Sequence, residues 1–288
     1  MYWHCPTLFT TESGLPYNEP RFGLLRKAYE FLGVDEDPVF RWHHIAMTYS
    51  GLKLTYASDR LPAIAAVVER EMRLRQGDIY IAGIWKNSLL TDLVWSADYT
   101  INSPALPRLP TSIPTWSWPS YQARIVWSSG SIVPSLRLLD LSFTRVGPAH
   151  IGEVADASIT LEGHTCKTRL KHISDPEVRY HSSMEMVPPP CQSAGVRMPC
   201  SMDMDFDWTT GDRPVMSGAT FTSMLMKICP DHGHCTGLVL REMPDGSFER
   251  MGTIEIRAEY RGRASKEELF KVLSNFVEAM PIRQVKII

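Results

Sequence analysis

The chain has 288 residues, 44% of them apolar, enough to fill a sizeable core in one large domain or two ordinary ones. Charged residues make up 22% and the net charge is -2, which excludes nucleic-acid binding by bulk charge and an acidic disordered chain. Twenty-one prolines and eighteen glycines set many turns, and apolar stretches such as Ile79 to Trp85 fall far short of the ~20 residues that span a bilayer.

The start, Met1-Tyr2-Trp3-His4-Cys5-Pro6, lacks the basic and apolar regions of a signal peptide. Cys5, Cys166, Cys191, Cys200, Cys229 and Cys235 are sparse in so long a chain, so the expectation is a reduced, cytoplasmic protein. The aromatic start also reads as though a segment were missing upstream. From Trp42 the apolar residues Trp42, Ile45, Ala46 and Tyr49 share one helix face, and Gly51 ends the run. A second helix is expected with Ser58 or Asp59 as cap, Pro62 in the first turn and Leu61, Ile64, Ala65, Val68 and Met72 on one side. Arg70, Arg73 and Arg75 suit the negative end of its dipole, and Gly77 stops it. A third helical stretch is expected near Ile81 to Trp95, where Trp85, Leu89 and Leu93 recur at spacing four.

Pro104, Pro107, Pro110, Pro114 and Pro119 then break regular structure between residues 98 and 120. The embedded Thr115-Trp116-Ser117-Trp118 is too aromatic for a free linker, so this segment is expected to dock on the core. Beyond it the period becomes two. Leu139, Leu141 and Phe143 suggest one strand, and Ala157, Ile159 and Leu161, alternating with polar neighbours, a second. Residues 174 to 215, rich in Pro, Met and Ser, read as a long loop. Leu238 to Leu240 and Phe248 to Ile256 flank the turn-rich Met243 to Ser247 as a hairpin, with Gly252 marking a bulge. A final helix starts at Ser265, with Glu268 completing a capping box and Leu269, Val272, Leu273 and Phe276 as its stripe.

Few residues announce chemistry. Cys229, His232, His234 and Cys235 are zinc-compatible ligand types, but structural zinc takes two short ligand pairs set apart by a loop, and no second pair stands nearby. A polar turn is the reading preferred there. Asp203, Asp205 and Asp207 alternate on one strand face, without the glycine and terminal glutamate of a calcium loop. No Gly-x-Ser-x-Gly elbow and no phosphate-binding glycine loop occurs, and His43 and His44, being adjacent on a helix, point to different sides. The tryptophans could form a stacking platform for a ligand, yet Trp42, Trp85, Trp95, Trp116 and Trp118 lie in or beside expected core elements. No catalytic residue, cofactor or metal is assigned.

Particular strings carry a resemblance. Tyr49-Ser50, Leu54-Thr55-Tyr56 and Asp59-Arg60-Leu61-Pro62-Ala63-Ile64 together resemble a segment of the fungal heterokaryon-incompatibility (HET) domain proteins. Tyr80-Ile81-Ala82-Gly83-Ile84-Trp85, then Leu89-Leu90 and Leu93-Val94-Trp95, are similar to their next block. Pro114-Thr115-Trp116-Ser117-Trp118-Pro119-Ser120 resembles their double-tryptophan string, Trp3-His4-Cys5 with Thr11-Glu12 the stretch after the HET domain, and Leu238-Val239-Leu240 with Phe248-Glu249-Arg250-Met251-Gly252 a hairpin near their C-terminal end. The signature of the HET domain proper is absent, and Gly51 and Pro119 depart from the usual arginine and alanine.

The resemblance implies a region downstream of the HET domain, or a truncated paralogue lacking that effector, serving fungal self/non-self recognition and programmed cell death. Asp59, Arg60, Leu61, Pro62, Trp85, Trp95, Trp116 and Trp118 are then architecture rather than catalysts. The fold expected is α+β: a mainly helical region, 1–110, packed on a mostly antiparallel β-rich region, 111–288, with the long loop 174–215 and a C-terminal helix. The function expected is a non-enzymatic regulatory or scaffolding role toward an unknown protein partner, with neither nucleic acid nor membrane insertion. The rivals are a hydrolytic or metal-dependent enzyme using His232 and His234, and a ligand-binding β module.

Overall fold

Strand pairing, not helix packing, organises this molecule. The computed structural model describes residues 2–5, 8–11, 37–52, 54, 56–98, 112–128, 130–172, 181–187, 196–204, 214–260 and 265–288. Its strands are β1 (Tyr2–Cys5), β2 (Leu8–Thr11), β3 (Tyr80–Ile81), β4 (Ile84–Trp85), β5 (Trp95–Ala97), β6 (Ile125–Trp127), β7 (Ser131–Ile132), β8 (Arg137–Arg145) and β9 (Val154–His172). They continue with β10 (His181–Val187), β11 (Val196–Arg197), β12 (Cys200–Met204), β13 (Thr220–Cys229), β14 (His234–Glu242), β15 (Phe248–Arg257), β16 (Glu259–Tyr260) and β17 (Ile282–Ile287). The helices are α1 (Pro38–Ser50), α2 (Ala65–Leu74), the four-residue α3 (Leu89–Asp92) and α4 (Lys266–Glu278).

Nine strands form one sheet, and its pairings close on themselves. Antiparallel neighbours run β9–β10–β12–β15–β14–β13 and back to β9, a small six-stranded barrel. Directly paired residues share a face, so the registers fix what points inward all the way round. Cys166, Thr168 and Leu170 meet Met184 and Met186, then Cys200 and Met202, then Ile254 and Ile256, then Cys235 and Val239, then Ser223 and Leu225. Except for the partly buried Cys166 and Cys200, these residues are buried. The opposite face carries the ion pairs of Arg169 and Lys171 with Glu185 and of Arg257 with Glu255. Closure removes exposed edges from the ring, and the register shifts at Ser183/Met184, Leu225/Lys227 and Val239/Leu240 supply bends it needs. The last of these places the expected bulge at Met251, beside Gly252.

The nineteen-residue β9 outruns the barrel, and its first half pairs with β8 and β17. There Ile159, Leu161, Val285 and Ile287 are buried. Strands β13 to β15 are buried without interruption over residues 221–229, 235–240 and 249–254, because other elements cover them, β5 against β15 and α4 against β13. Such doubly covered strands lose polar alternation, as buried strands do.

A helical N-terminal half is not seen, and this corrects the expected fold class. The described residues within 38–128 hold three α-helices of 13, 10 and 4 residues, short 3-10 turns and two-stranded ribbons. The first expected helix is α1, started by Asp37, whose carboxylate accepts from Val39 N at 2.7 Å. The second begins late. Residues 57–64 are 3-10 turns, and neither Ser58 nor Asp59 caps the helix. The backbone there is claimed by tertiary bonds, Tyr49 Oη donating to Arg60 O at 2.6 Å. The third expected helix is broken up: its start is the β3–β4 hairpin, whose central residues Ala82 and Gly83 have φ of 47° and 92°, and helical structure is confined to the 3-10 turn Lys86–Ser88 and the short α3. Positive φ at both positions is the geometry of a tight hairpin turn and ends any helix. Spacing of four misleads here because these apolar residues are buried on every side.

The long loop 174–215 is also corrected, since β10 and β12, which complete the barrel, and β11, which pairs with β16, lie within it. Pro104, Pro107, Pro110, Thr55, Cys191, Asp205 and Asp207 lie outside the described residues. The C-terminal helix forms with both capping-box bonds, Glu268 N to Ser265 Oγ at 3.2 Å and Ser265 N to Glu268 Oε2 at 2.8 Å. No helix among the described residues is long and apolar enough to cross a membrane.

Gly237 marks the tightest backbone approach in the ring. A methyl group there would lie 2.3 Å from Met224 O, which belongs to the neighbouring strand and has no room to yield. Gly237→Ala is expected to destabilise the protein by about 1–3 kcal/mol through overpacking. Urea unfolding reads this directly, and an unmoved midpoint contradicts the approach.

Candidate functional site

Of the residues singled out by resemblance, Trp85 and Trp118 meet at the β3–β4 turn. Its two carbonyls point outward and collect donors: Gly83 O accepts from Trp118 Nε1 at 2.6 Å and from Trp42 Nε1 at 3.2 Å, and Ala82 O accepts from Ser117 Oγ. Gly83 is required, because a Cβ would sit 2.5 Å from the Pro119 ring. Trp42 packs edge-on against Tyr80 and Trp85, with ring centroids 5.5 and 5.7 Å apart, the orientation that sets a positive ring edge on a negative face. Trp42, Trp85, Trp95, Trp116 and Trp118 are all fully buried. None of these five indoles offers a face for stacking a ligand.

Arginines bind this aromatic layer together. Arg60, 5% exposed, donates to Ser50 O at 3.3 Å and Ala123 O at 3.4 Å, with its guanidinium 5.8 Å from the Trp118 ring centroid. Burial pulls Arg60 down to about 10. In the same motif Leu61 is buried, while Asp59 and Pro62 are exposed. Beneath α1 and α2, Glu71 accepts both from Arg41 Nε at 3.0 Å and, in a longer ion pair, from Arg75. Buried Asp92 accepts from Ser88 Oγ at 2.8 Å and Trp85 N at 3.2 Å and pairs with His43 Nε2 at 2.7 Å. His43 stacks on Trp127 at 4.2 Å, so one of the two adjacent histidines is committed to structure.

The link to the barrel is Arg250, a fully buried residue of β15. Its Nη1 donates to Leu93 O at 2.6 Å, its Nη2 to Trp95 O, and its guanidinium lies 3.7 Å from the Trp95 ring centroid. Its backbone N donates to Thr115 Oγ1 at 3.1 Å, and that hydroxyl donates to Ile288 O at 2.6 Å. One residue therefore touches the tryptophan layer, the double-tryptophan segment and the last strand's end. Sequence reasoning placed Arg250 in a family string but gave it no role, because an arginine in an alternating strand reads as solvent-facing.

The cysteine–histidine cluster does not assemble into a ligand set. Cys229 and His234 are cross-strand partners on the barrel's outer side, whereas Cys235 points into the interior. Cys229 Sγ lies 3.1 Å from His232 Nδ1, and the His232 and His234 rings are 5.9 Å apart. Among the described residues no group of three or more His, Cys, Asp or Glu side chains can hold a metal ion. Asp203 lies on β12. A shallow cavity of about 180 Å³ opens elsewhere, lined by Pro114, Thr115, Asp156, Met243, Glu249 and Ile288 among others and by none of the histidines. Compared with protein-family models, curated proteins and solved structures, the chain matches none.

Two outcomes test this geometry. Arg250→Met keeps the length but leaves two buried carbonyls without their donor, and is expected to cost about 3–5 kcal/mol in denaturant unfolding. A loss below about 0.5 kcal/mol places Arg250 among ordinary surface changes. His234 titrates below its ordinary 6.5 because burial disfavours its charged form. A base with a lowered folded pKa contributes stability above its unfolded value that is lost on acidification. Stability is therefore expected to fall as pH drops below about 6.5, and His234→Gln to flatten that slope. A variant with the wild-type acid limb removes His234 as its source.

Proposed function

We propose that this chain is a non-enzymatic regulatory or scaffolding region of a HET-type protein. It acts in the cytoplasm through a protein partner in fungal self/non-self recognition and programmed cell death. The resemblance of the Asp59-Arg60-Leu61-Pro62, Tyr80-to-Trp85 and Pro114-to-Ser120 strings supplies the family. The observation that carries the role is where those strings lie. Trp85, Trp95, Trp116 and Trp118 are fully buried, and the indole N–H groups of Trp95 and Trp118 donate to backbone carbonyls inside the protein. Residues used in this way hold elements together and present no reactive atom to a substrate. The net charge of -2 gives no electrostatic ground for a nucleic-acid partner.

The test uses fungal cells that express a HET death domain with or without this chain. The expected result is a changed fraction of cells taking up a vital dye when the chain is present. Trp118→Ala, a buried aromatic truncation costing about 3–5 kcal/mol, is expected to abolish that change. Identical death with and without the chain overturns the regulatory reading. Turnover of an ester, phosphate or glycoside substrate by the purified chain, abolished by one substitution in the cavity near Thr115, overturns the non-enzymatic one.

A further inference from the structure

The turn between β13 and β14 sets a nucleophile against a base. Cys229 ends β13, and its Sγ lies 3.1 Å from His232 Nδ1 within the turn Pro230 to Gly233. His232 is exposed, so its ring is open to solvent. The turn is held from two sides. Asp231 binds Lys266 Nζ at 2.5 Å, tying it to the start of α4, and Gly233 O accepts from Ala258 N at 2.8 Å. Lys227, two residues before the thiol on its own strand, donates to Ser128 O at 3.1 Å. A thiol next to an imidazole is the setting in which sulfur becomes nucleophilic.

We propose that Cys229 is a peroxide-reactive thiol, with His232 as its general base, and that this turn is a site of oxidative modification. In the reaction the thiol proton moves to His232 Nδ1 and the sulfur attacks one oxygen of hydrogen peroxide. The S–O bond forms as the O–O bond breaks, and the departing hydroxide takes up the proton and leaves as water. Sulfur is oxidised to the sulfenic acid and the peroxide is reduced. The residue is only 3% exposed, and a methyl group at Gly130 would already lie 3.4 Å from Cys229 Cβ, so a small oxidant is favoured over bulky electrophiles.

The other described thiols differ in kind. Cys166, Cys200 and Cys235 line the barrel interior, and the hydrogen bonds of Cys200 and Cys235 run to the backbone carbonyls of Met184 and Thr236. Burial pushes Cys166 up to about 12 and Cys200 to about 11, and Cys235 higher still. They are internal controls in the same molecule.

The experiment treats the folded full chain with limiting hydrogen peroxide, traps sulfenic acids with a cyclic 1,3-diketone, and quantifies each cysteine by peptide mass spectrometry. Cys229 is expected to label at least about tenfold faster than Cys166, Cys200 and Cys235, and His232→Gln to lower that rate about tenfold or more. Cys229→Ser must remove the labelled peptide. In the wild-type chain unfolded in urea the advantage of Cys229 must vanish, which separates the folded pair from local sequence chemistry. Equal labelling of all four thiols, an advantage that survives unfolding, or an unchanged Cys229 rate in folded His232→Gln overturns the proposal.

Discussion

Everything in this structure leans on one buried cation. Arg250 sits on a barrel strand, yet its guanidinium spends its hydrogen bonds on Leu93 and Trp95, more than 150 positions earlier in the chain. A guanidinium can be buried because its flat face rests on the Trp95 ring while its edge donates to carbonyls, so neither face nor rim is left unsolvated. The desolvation cost of that charge is then offset only in one arrangement of barrel and tryptophan layer. Apolar contact alone is less exacting, since it rewards burial without direction.

The Ala82–Gly83 turn extends the same logic. A left-handed alanine costs about 1–2 kcal/mol, and here the strained backbone presents two carbonyls to Ser117, Trp42 and Trp118 while the Ala82 N–H donates to Gly152 O. Indole donors buried without acceptors would be costly, so the turn and the tryptophans require each other. Serine 117 standing between Trp116 and Trp118 explains the spacing of the double-tryptophan string, because its hydroxyl reaches Ala82 O while the flanking rings enter the core.

What could be read in advance was local. The capping box at Ser265 and Glu268, the five-residue connection from Met243 to Ser247, and the bulge near Gly252 are chemistry between near neighbours, and each formed as expected. The docking of Thr115 to Trp118 was legible because two indoles are too large to leave in water. The helical N-terminal half was not, for a physical reason. Where a short segment is buried on all sides, apolar spacing no longer reports a helix, and the deciding facts become tertiary bonds such as Tyr49 Oη to Arg60 O. Barrel closure was equally hidden. It depends on β10 and β12 pairing with β9 and β15 across a polar, proline-rich stretch whose composition reads as loop. In the candidate site the residue types at Cys229 and His232 were visible, but the register that separates Cys235 from them was not.

The division of polar groups between the barrel's two sides carries the argument one step further. Inside the ring the side chains are methionines, isoleucines and thiols, with Thr168 and Ser223 satisfying each other at 2.8 Å. Such a lining packs without directional bonds and tolerates repacking. Outside, where the tryptophan layer docks, almost every contact that joins distant parts of the chain is a directional bond from an indole, a guanidinium or a hydroxyl to a particular carbonyl. Stability and specificity are therefore separated in space. The interior gives the burial that makes a fold, and the outer junction decides how the N-terminal segment sits upon it. A junction built this way holds the outer layer in one position, because a layer joined by apolar contact alone is freer to slide.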